Sequence, residues 1–390
     1  MERVAARAGL GWLALALTAN ALAAPLSVEQ QWLAAADQFE RGHLTEAEKS
    51  LRSLLQQQPN FRLARWLYGD LLAARSGKKI KAPAGAGEIK AQDLLDEARL
   101  RLQERRTLPP ADAVPDALLQ PGGGAKYWVV TDLSRSRVFL LENKKGTPRL
   151  LRSYYAGIAR NGIGKQTAGD LRTPVGIYHV TGFTPDRELP EIYGVGAFPL
   201  SYPNAWDRRQ QRTGSGIWLH GVPRVTYVRS PRSSKGCVTL ANDDLLALKP
   251  YLLSGKTPVI LSEKVNWIAA APLEAARKDF LGHLEAWRQA WASKDTARYL
   301  AYYAADFVSD DGMNRAQFAA FKQRVNASKK FIQLQIGDIE AYRYPGETGL
   351  VVTRFKQDYR SDNMAKVSRK EQFWRRGKDG QWKIVSEETL

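Results

Sequence analysis

Three observations lead the sequence to predict a multidomain α+β protein. Residues 27 to 76 carry apolar side chains at helical spacing. From Lys126 the apolar period falls to two. Beyond Ala271 a long amphipathic helical stretch precedes four further strand-like runs. A chain of 390 residues suits two or three domains, taking ~150 residues for each.

The first residues read as an export signal. Arg3 and Arg7 precede the apolar run Leu10 to Ala19, which is too short to span a bilayer. Ala21 and Ala23 supply small residues before a cut expected ahead of Ala24, so 1–23 is a signal peptide and the expected location is the periplasm. No later stretch reaches ~20 apolar residues, so no membrane span is expected in the mature protein. The formal charge is +18, from 58 Lys+Arg against 40 Asp+Glu, which favours anionic partners. Nucleic acid is not expected among them, given export and the lack of zinc-finger spacing, an aromatic RNP pattern or a basic arm.

Residues 24–106 are expected to be helical. Trp32, Ala35 and Phe39, then Ala47, Leu51, Leu54 and Leu55, mark two helices, broken at Gly42 and at Pro59–Asn60. The pair resembles a single tetratricopeptide-type (TPR-like) hairpin. Its open face would pack on the later helix Ala91–Arg106 or on a second copy, which leaves a homodimer through this region open. Residues 107–125, Pro-rich and ending in three glycines, read as a linker. Strands follow in "KYWVVTD", "SRVFLLE", "RLLRSYYAGI", "GIYHVTG", "GIWLHG", "GCVTL" and "TPVILS", which makes 126–264 mostly β. Its one helix, "NDDLLALKPYL", has Asn242 as the expected N-cap, with Asp243 and Asp244 at the positive helix start. In 271–390 the helical stretch Ala271 to Phe307 breaks near Ser293, and four antiparallel strands follow.

Cys237 is the sole cysteine. In an oxidising compartment one cysteine makes no disulfide within its own chain, so the thiol is either inertly buried or used. His220 ends the strand "IWLH", and Cys237 opens "GCVTL", 17 positions later (237 − 220). A loop of that length can bring two strand ends together, with the imidazole as base for the thiol. Arg224, Arg229, Arg232 and Lys235 in the loop would bias the sulfur towards the thiolate. Gly236 permits a tight turn, and the backbone N–H groups of Lys235, Gly236 and Cys237 could form an oxyanion hole. Four histidines and one cysteine, scattered along the chain, make a zinc site improbable, and no metal or other cofactor is expected.

His220-Gly221, followed by Ser234-Lys235-Gly236-Cys237-Val238, resembles the signature of the YkuD-type L,D-transpeptidase catalytic domain. Thr173, Pro174 and Gly176 match that family's upstream T-P-x-G segment. The resemblance covers about a third of the chain and implies peptidoglycan chemistry without a metal. Cys237 would attack a stem-peptide carbonyl at an L-centre joined to a D-amino acid. His220 would carry the proton, oriented by the Gly221 carbonyl. Ser234, Ser233, Arg172, Trp218, Tyr178 and Arg232 are the residues expected to contact substrate.

Two positions depart from the commonest family pattern. Lys235 stands where many members have a second histidine, and Thr239 where many have an arginine. The C-terminal region looks like an NTF2-like α+β cone. With the helical N-terminal hairpin and the mostly-β YkuD-type middle, it resembles the cell-shape L,D-carboxypeptidases of helical bacteria. That resemblance implies hydrolysis of tetrapeptide to tripeptide. The alternatives are 3–3 cross-linking, attachment or release of a wall-linked lipoprotein, or a non-catalytic wall-binding scaffold. A sortase is disfavoured, since its histidine lies much further upstream.

Overall fold

The computed structural model describes residues 26–78, 91–110, 112–122 and 124–390, so the expected cut before Ala24 lies outside it. The N-terminal part is four helices: α1 (Val28–Glu40), α2 (Leu44–Gln57), α3 (Arg62–Arg75) and α4 (Ala91–Arg106). Ser27 and Gln30 cap α1 reciprocally, satisfying two amides that a helix start leaves unpaired. Trp32 and Ala35 of α1, Leu51 and Leu54 of α2, and Leu63 and Leu71 of α3 form one core.

The open face of this helical unit is covered from within the chain. Tyr155, Tyr227, Val228 and Ala241 of the middle domain join its core, and Phe61 lies 4.4 Å from Tyr227, ring centre to ring centre. Arg101 of α4 is buried over the Tyr155 ring at 4.1 Å and donates to Glu29 and Glu97 at 2.7 and 2.8 Å. Glu29 also accepts two bonds from Arg137, both at 2.7 Å. Buried charges survive only when paired this completely.

The middle domain contains β1 (Ala113–Pro115), β2 (Tyr127–Asp132), β3 (Arg137–Lys144), β4 (Thr147–Ala159), β5 (Gly176–His179), β6 (Thr184–Pro185) and β7 (Gly196–Pro199). After α5 (Ala205–Arg209) come β8 (Trp218–His220), β9 (Arg232–Ser234) and β10 (Val238–Leu240). Then follow α6 (Asn242–Leu248), β11 (Pro258–Ser262) and β12 (Trp267–Ala269). The large sheet runs β5-β11-β2-β3-β4-β10-β8-β7-β6, with β9 beside β4. Hydrophobic side chains from β2, β3, β4, β8, β10 and β11 fill its core.

The C-terminal domain contains α7 (Ala270–Ala292), α8 (Thr296–Leu300), β13 (Tyr303–Ser309), α9 (Arg315–Ala327), β14 (Ile332–Arg343), β15 (Leu350–Ser361), β16 (Met364–Arg376) and β17 (Trp382–Thr389). Its sheet order is β13-β17-β16-β15-β14. Trp287, Trp291, Tyr299, Tyr303 and Phe307 are core residues here. The helical pattern was expected to run to Phe307, but from Tyr303 the chain pairs in parallel with β17. Tertiary pairing overrides the local period at that point.

A second correction concerns 107–125, expected to be a linker. Val114 pairs with Ile268, Gln120 bridges to Ala341, and Leu118 and Leu119 are buried. The segment wedges between the middle and C-terminal domains. Its prolines and glycines mark the absence of a long element, while its few apolar side chains still find a core.

Candidate active site

Strand pairing assembles the site. β8 and β10 run parallel, with Val238 opposite Leu219 and Thr239 opposite His220. Cys237 lies just ahead of β10, beside Trp218. Side chains two apart share a face, so Cys237 and His220 point to the same side of the sheet, one pleat apart.

The turn before Cys237 is locked by Ser234. Its Oγ donates to the Cys237 carbonyl at 2.6 Å and accepts from the Gly236 N–H at 3.2 Å. Gly236 adopts φ +149, a backbone region that side chains rarely enter, and a Cβ there would press on Ile217. The arrangement corrects two expectations. Ser234 is buried and engaged with the turn, so it is not free for substrate. The Gly236 N–H is already bonded, whereas those of Lys235 and Cys237 meet no acceptor among the described loop and turn bonds.

His220 is buried, and its Nδ1 lies 2.7 Å from the Gly221 carbonyl. A carbonyl only accepts, so Nδ1 carries the hydrogen and Nε2 keeps its lone pair. The Tyr193 ring packs edge-on against the imidazole at 4.9 Å and tilts on Trp218 at 5.0 Å. Asn242 fixes the loop that carries Gly221. Its Oδ1 accepts from the Val222 and Val195 N–H groups at 3.0 and 3.3 Å, and its Nδ2 donates to the Val222 carbonyl at 2.9 Å. A Cβ at residue 221 would overlap that Oδ1. Asn242 was expected to cap α6, but Ala241 holds the cap position and the asparagine side chain ties two loops together.

The resting charge state also differs from expectation. Burial pushes the Cys237 thiol up to about 11, only partly opposed by the Trp218 backbone N–H and by Arg229. The residue is half-buried. Burial likewise lowers His220 to about 4. The thiol donates to the Gly216 carbonyl at 3.3 Å, and no hydrogen bond joins it to the His220 ring. Cationic residues were expected to hold a thiolate. Arg224, however, is paired with Glu191 and Asp186, at 2.8 and 2.5 Å, while Arg232 and Lys235 extend into solvent.

The other expected contacts separate clearly. Trp218 is half-buried beside the sulfur, and Arg172 is exposed with its carbonyl near Gly236. Ser233 donates to the Ser230 carbonyl at 2.9 Å. Tyr178 is fully buried and bonded to Asp207 at 3.0 Å, so it cannot touch substrate. Sequence reasoning missed Tyr193, which carries no local signal. Among the described residues no group of three His, Cys, Asp or Glu side chains could hold a metal, and no helix is long and apolar enough to cross a membrane. A cavity of about 620 Å³ at the seam of the middle and C-terminal domains, lined by Asp116, Asp279, Arg343, Glu347 and Arg376 among others, includes neither Cys237 nor His220.

Residues 126–261 match the model of the L,D-transpeptidase catalytic domain, YkuD, and residues 279–388 match that of the Cds6 C-terminal NTF2-like domain. The chain carries a YkuD L,D-transpeptidase domain and an NTF2-like domain. Two solved structures share this architecture. Bd1075 of Bdellovibrio bacteriovorus is 26% identical, with 72% of this chain and 98% of that chain covered and a TM-score of 0.63. The helical cell shape determining protein Pgp2 of Campylobacter jejuni is 27% identical, with 70% and 95% covered and a TM-score of 0.60. No curated protein matches the chain significantly. The L,D-transpeptidase domain is thus flanked by helices on one side and an NTF2-like domain on the other.

Proposed function

We propose that this protein is a peptidoglycan L,D-carboxypeptidase that acts outside the cytoplasmic membrane and trims tetrapeptide stems to tripeptides through a Cys237 acyl-enzyme. The observation that carries the reading is the pairing of β8 with β10. It sets a half-buried thiol one pleat from an imidazole whose Nδ1 is committed to the Gly221 carbonyl. The free Nε2 is then the base.

The resting values order the proton on sulfur, so ionisation accompanies attack. The thiol turns from the Gly216 carbonyl towards Nε2 and gives up its proton as sulfur adds to the scissile carbonyl. The oxyanion faces the Lys235 and Cys237 N–H groups, each such donor being worth ~3 kcal/mol in the transition state. Collapse breaks the C–N bond, and the imidazolium returns the proton to the departing amine of the D-amino acid. Water, deprotonated by Nε2, then cleaves the thioester and restores the thiol.

Two features favour water over an amine acceptor. Thr239 takes the place where many relatives have arginine, and it is fully buried against the Gly157 carbonyl at 3.4 Å, adding no charge to the site. The shared architecture with Pgp2, a cell shape determining protein, supports a wall-trimming role. Incubation with purified tetrapeptide muropeptides, read by mass spectrometry, tests the reading. Tripeptide is expected from the wild type and not from Cys237→Ala; 3–3 linked dimers as the sole product would replace hydrolysis with transpeptidation.

A further inference from the structure

Beside the thiol stands a cation without a counter-ion among the described residues. Arg229 follows Tyr227 and Val228, which are buried against the helical unit, and its carbonyl accepts from the Tyr155 hydroxyl at 3.3 Å. Its backbone is therefore held on both sides. The half-buried guanidinium donates Nη2 to the Ile192 carbonyl at 2.9 Å. Ile192 immediately precedes Tyr193, whose ring packs on His220 and Trp218. Arg229 thus borders the catalytic pair.

That single bond uses one of five N–H donors. No carboxylate pairs with Arg229 among the described residues. Its neighbour Arg224 is different, being held by Glu191 and Asp186. Arg160 is close enough to repel Arg229, and it too lacks an acidic partner among the described residues. Burial and that repulsion lower the Arg229 pKa, whereas Cys237 raises it, so the guanidinium and the sulfur share one field. A half-buried cation costs free energy unless an anion meets it. Among the described residues no such anion meets it, so substrate is the natural source.

We propose that Arg229 is the specificity-determining residue of this site, binding the free α-carboxylate of the D-amino acid that leaves. The inference rests on the carboxypeptidase reading above. In such a substrate the carboxylate carbon lies two bonds from the scissile nitrogen, which is where a cation bordering the nucleophile reaches. A guanidinium matches a carboxylate with two parallel bonds. A stem whose terminal residue is amidated or already cross-linked lacks that anion and loses the interaction. The residue so placed is distinct from the arginine that many relatives carry at the Thr239 position.

The test compares a tetrapeptide muropeptide bearing a free C-terminal carboxylate with the same compound as its C-terminal carboxamide. Wild type is expected to prefer the acid by about ten- to a hundredfold in kcat/KM, the range for a charge-assisted hydrogen bond. Arg229→Gln should abolish most of that preference, lowering turnover of the acid far more than that of the amide. Arg229→Lys should retain part of it. An acid-to-amide ratio unaltered in Arg229→Gln overturns the proposal. A second arm measures binding of both compounds by calorimetry to Cys237→Ala and to Cys237→Ala/Arg229→Gln, each first confirmed folded by circular dichroism. Tighter binding of the acid that vanishes with Arg229 supports the assignment, and equal binding of acid and amide to Cys237→Ala refutes it. This arm needs no turnover. If the wild type releases no D-amino acid, the carboxypeptidase reading fails while the carboxylate assignment is still decided.

Discussion

Between His220, lowered by burial to about 4, and Cys237, pushed up to about 11, lies a wide pH range in which imidazole and thiol are both neutral. In the free enzyme kcat/KM should therefore fall on the acid side near 4, as Nε2 takes a proton, and hold a broad plateau through neutrality. Alkylation of Cys237 by iodoacetamide should be slow at neutral pH and climb towards about 11. His220→Ala should lower turnover by about 10²- to 10⁴-fold yet leave the alkylation profile nearly unchanged, because no bond links ring and sulfur at rest. Rapid alkylation at neutral pH that disappears in His220→Ala would instead establish a resting ion pair. The same depression links to stability. The unfolded chain binds the His220 proton at an ordinary 6.5 and the folded chain at about 4, so stability falls as pH drops across that window. Cys237 and His220 were legible in the sequence because a sole cysteine and an H-G pair are local signals. Tyr193 and the loop-tying role of Asn242 were not, since both arise from contacts between segments distant in the chain.

Among the elements, the helical unit and β3 are joined through the buried cluster of Arg101, Glu29, Glu97 and Arg137. Arg101→Met strips two carboxylates of a partner inside the protein. The expected cost is about 3–5 kcal/mol, read as a lower denaturation midpoint. Turnover should fall too, because Phe61 and the helical core back Tyr227 and Val228, which precede Arg229. A variant with an unchanged midpoint would mean the helices dock independently of this cluster. The positions of α1 and α2 followed from apolar spacing and the breaks at Gly42 and Pro59, whereas α3 was not separated as a helix of its own. What spacing did not reveal was the covering surface, formed by middle-domain residues distant in the chain. Residues 107–125 misled for a related reason: loop composition reports local conformation, and burial of Leu118 depends on what lies across from it.

Taken whole, the molecule has no clean seam between its L,D-transpeptidase and NTF2-like domains. Trp128, Trp206 and Ile260 from one side share a core with Tyr342, Tyr344 and Phe373 from the other. Trp206 stacks on Phe373 at 5.8 Å, Asn204 donates to the Tyr344 hydroxyl at 2.8 Å, and Arg209 pairs with Asp306. A shared apolar core couples unfolding, so calorimetry should show these two domains melting in one transition. Two resolved transitions would show that the seam contributes little. The class of each domain was legible because the apolar period changes at Lys126 and again after Ala271. Their fusion was not, because a strand's period does not say which layer covers its second face.

The central claim is that Cys237 forms the acyl-enzyme, and intact-protein mass spectrometry after rapid acid quench of a tetrapeptide reaction tests it most directly. The wild type is expected to gain the mass of the tetrapeptide muropeptide less that of the free D-amino acid it releases, and Cys237→Ala to gain nothing. An adduct on Cys237→Ala, or stem trimming that persists in that variant, would contradict it.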